Sequence, residues 1–66
     1  MVVVVAEAIR TLSASHREVL NETVLRGRTV NEAAEVLGLP VETVKSRVYY
    51  ALRALRIALE ERGVTA

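Results

Sequence analysis

Apolar residues recur along this chain every three or four positions, the period of an α-helix rather than a strand. Val2, Val5, Ile9 and Leu12 share one helical face and predict a first helix over residues 2–11. Its opening run of four valines is β-branched throughout and would also suit a strand, and Val3 and Val4 have no place on the apolar face. Ser13 is a favoured N-cap type, and Val19, Leu20 and Val24 form the stripe of a second helix over residues 14–26, stopped by Gly27. Glu18 and Glu22 fall on another side of it, with Arg26 one turn beyond Glu22. Thr29-Val30-Asn31-Glu32 has the capping-box pattern and opens a third helix over residues 29–37, with Ala33, Ala34 and Leu37 inward and Gly38 ending it. The last helix is expected over residues 40–62. Pro40 suits its first position, where a missing amide hydrogen costs nothing. Val41, Val44, Val48, Leu52, Leu55 and Leu59 define its buried stripe, and Gly63 ends it. At ~1.5 Å per residue it would reach about 34 Å. The expected fold class is all-α: four helices forming a single domain over residues 1–66, with no internal repeat or low-complexity segment.

One spacing within this pattern narrows the architecture. Ala34-x3-Gly38-x5-Val44 places a small residue, a turn glycine and a branched apolar residue where two short helices meet at a tight corner. Ala34 permits close approach, Gly38 accepts the positive φ of a helix end, and Val44 fills the angle from the following helix. That is the sequence form of a helix-turn-helix, whose second helix can enter the major groove of DNA.

Composition limits what else the chain can do. Sixty-six residues build one small core, here of Leu, Val, Ile and Ala, since Phe and Trp are absent. There is no cysteine, so no disulfide or thiolate metal site is expected, which suits a reducing, cytoplasmic setting. The segment MVVVVAEAI is too short to span a bilayer and has no basic residues before its apolar run, so neither a membrane span nor a signal peptide is expected. The net charge of +1 is modest for a nucleic-acid binder, but its distribution is uneven. Residues 1–39 carry four Arg and five Glu, whereas residues 40–66 carry five basic and three acidic groups. Between Thr43 and Ile57 stand Lys45, Arg47, Arg53 and Arg56 with no acid, so positive charge collects on the helix that would meet phosphate.

Catalytic chemistry has little to work with. Asp and Cys are absent, and the lone His16 reads as a solvated residue of a first helical turn. One histidine makes no zinc site, and the three isolated glycines make no phosphate loop. No catalytic, cofactor or metal residue is expected. The last helix is richer. Lys45, Ser46, Tyr49 and Tyr50 project away from the apolar stripe as one patch on adjacent turns. Lysine can bond guanine acceptors or phosphate, serine either partner, and tyrosine offers a ring edge to thymine methyls and a hydroxyl to phosphate. Thr43 sits near the helix N-terminus, where backbone amides attract phosphate. Arg47 lies nearer the stripe and could reach phosphate or pair with Glu32 or Glu35. Arg53 and Arg56 are backbone contacts or solubilising charges. Glu42 repels phosphate, so it must accept from cytosine N4, cap the helix or face aside.

The ordered segments LSASHREVL and GRTVNEAAEVLGLPVETVKSRVYYALRAL, with LGLPxxTVKSR as the most specific piece, resemble region 4 of bacterial sigma-70-type sigma factors. The extracytoplasmic-function (ECF) group is the nearest in kind, and the resemblance runs from about Leu12 to Leu55. It implies a non-enzymatic transcription-initiation module that binds the promoter −35 element and the β-flap of RNA polymerase, under an anti-sigma factor. Carried over by position, Lys45, Ser46, Tyr49 and Tyr50 would meet the −35 element, and Thr43 and Arg47 its backbone; Arg53 joins them as an expected DNA contact on its charge and place alone. The Val19/Leu20/Val24 region would dock on polymerase. Glu42 stands where the family often has Gly, Tyr50 where it often has a basic residue, and Ala14 where an early Leu-Pro is common. No counterpart of the region that melts the −10 element is present, so the chain is expected to be a fragment of a longer sigma factor. The competing readings are a response-regulator-type helix-turn-helix output domain and a helical protein-interaction bundle without DNA binding.

Overall fold

The computed structural model describes residues 2–63 as four α-helices, α1 (Val2–Arg10), α2 (Ala14–Leu20), α3 (Val30–Leu37) and α4 (Val41–Glu61), with no strand among them. The valine run is helical, so packing of one face overrides its β-branched preference. Only part of the expected face is covered. Ile9 and its neighbour Ala8 are fully buried and Val5 and Leu12 pack at the edge of the core, but Val2 is 72% exposed.

The second helix departs from expectation. It is α-helical only to Leu20 and continues as a π-helical turn, Asn21–Leu25, whose exit is marked by the Arg26 amide bonding the Asn21 carbonyl at 3.0 Å. Within it the Thr23 hydroxyl donates to the Val19 carbonyl at 2.7 Å, a side-chain bond that competes with the regular ladder. The wider turn shifts the following positions around the axis. Val24, expected on the apolar stripe, therefore lies exposed with Leu25, while Val19 and Leu20 are wholly buried. Val24 and Leu25 line an apolar hollow of ≈ 240 Å³ with Val2 and Val5. Glu22 is drawn into the same turn, where Arg28 at 2.8 Å is a nearer partner than Arg26 at 3.9 Å.

The corner forms as the sequence implies. The Thr29 amide donates to the Glu32 carboxylate at 2.8 Å and the Glu32 amide to the Thr29 hydroxyl at 3.1 Å, closing the capping box ahead of α3. Gly38 adopts φ 68°, and the Leu39 amide reaches back to the Ala34 carbonyl at 3.0 Å, satisfying a helix-end acceptor while turning Leu39 onto the core. Pro40 serves as the N-cap of α4 rather than its first residue, its carbonyl accepting from the Val44 amide at 3.1 Å. Ser13 occupies its N-cap position but makes no side-chain cap bond.

α4, 21 residues long, packs against α1, α2 and α3. Its buried line is Val44, Ala51 and Leu55, flanked by Val41, Val48, Ala58 and Leu59. Leu52, expected inside, is 44% exposed, and the smaller Ala51 takes the interior position. Val44 and Ala51 are seven residues apart, two near-complete turns, which keeps them on one line, whereas the next residue is rotated off it.

Candidate nucleic-acid interface

The apolar line of α4 determines what its other side presents. With Val44, Val48 and Ala51 turned inward, Lys45, Ser46, Tyr49, Tyr50 and Arg53 are all exposed on the outward side. Thr43 and Arg47 lie at the flanks, half-buried. The seven residues expected to meet DNA thus divide into five on an open face and two at its edges.

The outward face is ordered by its own contacts. The Tyr49 and Tyr50 rings meet edge to face, centroids 5.1 Å apart at 85°. The Arg53 guanidinium lies 5.9 Å from the centre of the Tyr49 ring, at the limit of a cation–π contact. A planar donor group and two phenol hydroxyls are therefore held together one to two turns along the helix from Lys45. Nearer the corner, the Glu42 carboxylate stands 3.6 Å from the Lys45 ammonium. Of the three options open to Glu42, capping is not taken: the start of α4 has no side-chain cap bond, and the carboxylate stands beside Lys45. This pairing escaped the sequence reading, although the Glu-x-x-Lys spacing on one helical face was its signal.

Two expectations resolve differently. Arg47 forms no ion pair with Glu32 or Glu35 among the described residues. Glu32 is already engaged: the Thr29 amide, then the Thr29 hydroxyl and the nearby Arg28 charge, hold its carboxyl below the usual range. Arg56 points along the far half of α4 and pairs with Glu60 at 3.6 Å, leaving Arg53 as the last cation beside the tyrosines. Among the described residues no group of His, Cys, Asp or Glu is placed to hold a metal ion, and no helix is long and apolar enough to cross a membrane.

An exposed helical face of this kind, projecting beyond a tight corner, can lie against phosphates and present donors and an acceptor to base edges. The family model described as Sigma-70, region 4 matches residues 8–56, from the buried end of α1 through Arg56. The chain is 48% identical over 61 residues to the ECF RNA polymerase sigma factor SigL of Mycobacterium tuberculosis strain Erdman, and to the same-named protein of strains CDC 1551 and H37Rv. The alignments cover 92% of this chain and 34% of each relative, so it spans about a third of the length of the curated relatives it matches.

Proposed function

The chain belongs to the sigma-70 region 4 family, and from that premise we propose that it is the −35-binding module of an ECF sigma factor, directing RNA polymerase to promoters in transcription initiation. The observation that carries the reading is the outward face of α4. Between Thr43 and Ile57 the helix carries four basic residues and no acid, with Lys45 and Arg53 on the open face, next to a helix-turn-helix corner. In this reading Lys45, Ser46, Tyr49 and Tyr50 face the base edges. Thr43, Arg47 and Arg53 hold the phosphates on either side, which sets register without reading sequence.

Residues 1–66 act as one domain of a longer sigma factor whose remaining parts melt the promoter. The module is not an enzyme, needs no cofactor and works in the cytoplasm. The apolar surface around Val24 and Leu25 is its polymerase-docking face, and an anti-sigma factor is a further partner. A response-regulator output domain is disfavoured because α4 itself continues through Glu61 and packs on the first two helices, leaving no separate dimerising helix among the described residues.

The test is fluorescence titration against −35-like duplexes at several salt concentrations. The affinity of the chain is expected to fall steeply with salt. Replacing Lys45 and Arg47 by Ala is expected to lower the slope of log K against log salt by about 1 for each phosphate contact removed. An unchanged slope and affinity in that double variant would reject the DNA-binding reading and leave the protein-interaction bundle.

A further inference from the structure

Between Arg28 and Lys45 the chain carries three glutamates and no basic residue. This acidic stretch is the helix-turn-helix corner itself: α3, the Gly38 turn and the start of α4. An open groove of ≈ 750 Å³ lies there, walled by Asn31, Ala34 and Glu35 of α3 and by Leu39, Pro40 and Val41 beyond the turn. The wall is mostly apolar, and Glu35 is the one charged residue in it. Glu35 is exposed and makes no ion pair among the described residues. It also stands in the last turn of α3, where the negative helix end disfavours an acid. On the same helix the Thr29 amide and hydroxyl hold Glu32 in its ionised form. Val36, which follows Glu35, is a further apolar side chain left 52% exposed.

We propose that this corner groove docks a basic amphipathic helix of another protein, its apolar side chains lying on Leu39, Pro40 and Val41 and a Lys or Arg meeting Glu35. The inference rests neither on entry of α4 into DNA nor on the Val24/Leu25 face. Folding alone gives no reason for an unpaired acid at the wrong end of a helix, beside an open apolar wall. The charge selects among occupants. A carboxylate repels phosphate, so nucleic acid and anionic lipid are poor fits for the groove. A hard metal ion needs several oxygen donors, and no such cluster exists among the described residues. An amphipathic helix supplies what the groove lacks on both counts, apolar residues one turn apart and a cation beside them. Its apolar contacts would give the affinity. The charge pair at Glu35 would set which helices are accepted, since an acidic one is repelled there.

The experiment is a titration of the chain with a short helical peptide of Leu, Ala and Lys, its leucines one turn apart, monitored by amide chemical shifts. Two control peptides replace every Lys by Glu or every Leu by Gln. The parent peptide is expected to bind with its largest shifts at Asn31, Glu35, Gly38, Leu39 and Val41, and neither control is expected to bind. E35K is expected to weaken binding by ~5-fold while melting within a few degrees of the parent chain, with E35Q between the two. Shifts centred on Val2, Val24 and Leu25 would assign the peptide to the other apolar surface and overturn the proposal. Equal binding of the Gln peptide would leave only an acidic surface and overturn it as well. So would absence of binding, or self-association of the chain that E35K abolishes, which would make the occupant a second copy. None of these outcomes touches salt-dependent binding of duplexes, so the DNA-binding proposal is judged apart from this one.

Discussion

Gly38 shows how one residue sets the angle between two helices. A β-carbon built there meets nothing within 4 Å, so the site is open and the demand on it is conformational. At φ 68° an L side chain is strained by its own backbone. G38A is therefore expected to destabilise the chain by about 1–2 kcal/mol, visible in thermal melts as a fall of several degrees. G38N should lose less, since asparagine tolerates the left-handed region. Equal stability of G38A and the parent would show that the corner does not depend on this conformation. The capping box at the other end of the same helix is a comparable local device, Thr29 and Glu32 opening α3 by each binding the other's amide.

For whole elements, agreement between sequence and structure depends on whether the deciding interaction is local. The α3 start and the Gly38 end were legible because each is made by residues three to five apart, whose types state the bond they form. The outward patch of Lys45, Ser46, Tyr49 and Tyr50 was legible because helical period fixes direction once one apolar line is known. The interior of α4 was not, because Leu52 outranks Ala51 in hydrophobicity while close approach of a neighbouring helix favours the smaller side chain. The π turn was hidden for a related reason: Thr23 and Asn21 are compatible with an ordinary helix, and only the bond to the Val19 carbonyl and the surrounding packing expose the wider turn. The α4 assignment has a direct check in denaturant unfolding. A51L, which forces three extra carbons into a filled position, is expected to cost about 1–3 kcal/mol. L52A should cost well below the ~2–5 kcal/mol of a buried leucine truncation. The reverse order would return Leu52 to the core.

The whole molecule presents two unlike surfaces. One is the polar, positively charged side of α4. The other is apolar, with Val2, Val24 and Leu25 exposed around the hollow they line with Val5. A small domain gains nothing alone from exposing such a group, and contiguous apolar surface of this kind marks contact with another protein. Val19 and Leu20 were expected to share the polymerase contact but are sealed in the core, so the proposed contact falls to Val24 and Leu25. The double variant V24S/L25S is expected to melt within a few degrees of the parent, yet to lose retention on a β-flap fragment of RNA polymerase in a pull-down. Undiminished retention with intact folding would move the docking face elsewhere. Because the DNA-facing variants K45A and R47A alter the other surface, their salt dependence and this retention should vary independently.

α4 carries the residues proposed to face DNA and its anchor in the core on one uninterrupted rod. The core clamps that rod at two levels, since Val44 and Ala51 are both fully buried. Glu42 is two residues from the nearer clamp, ~3 Å at ~1.5 Å per residue. A tilt about Ala51 would have to unseat Val44 before it moved the tip. In the proposed function, contacts made from that end are thus placed as firmly as Val44 is packed, and a change in that packing would be felt as a change in DNA preference.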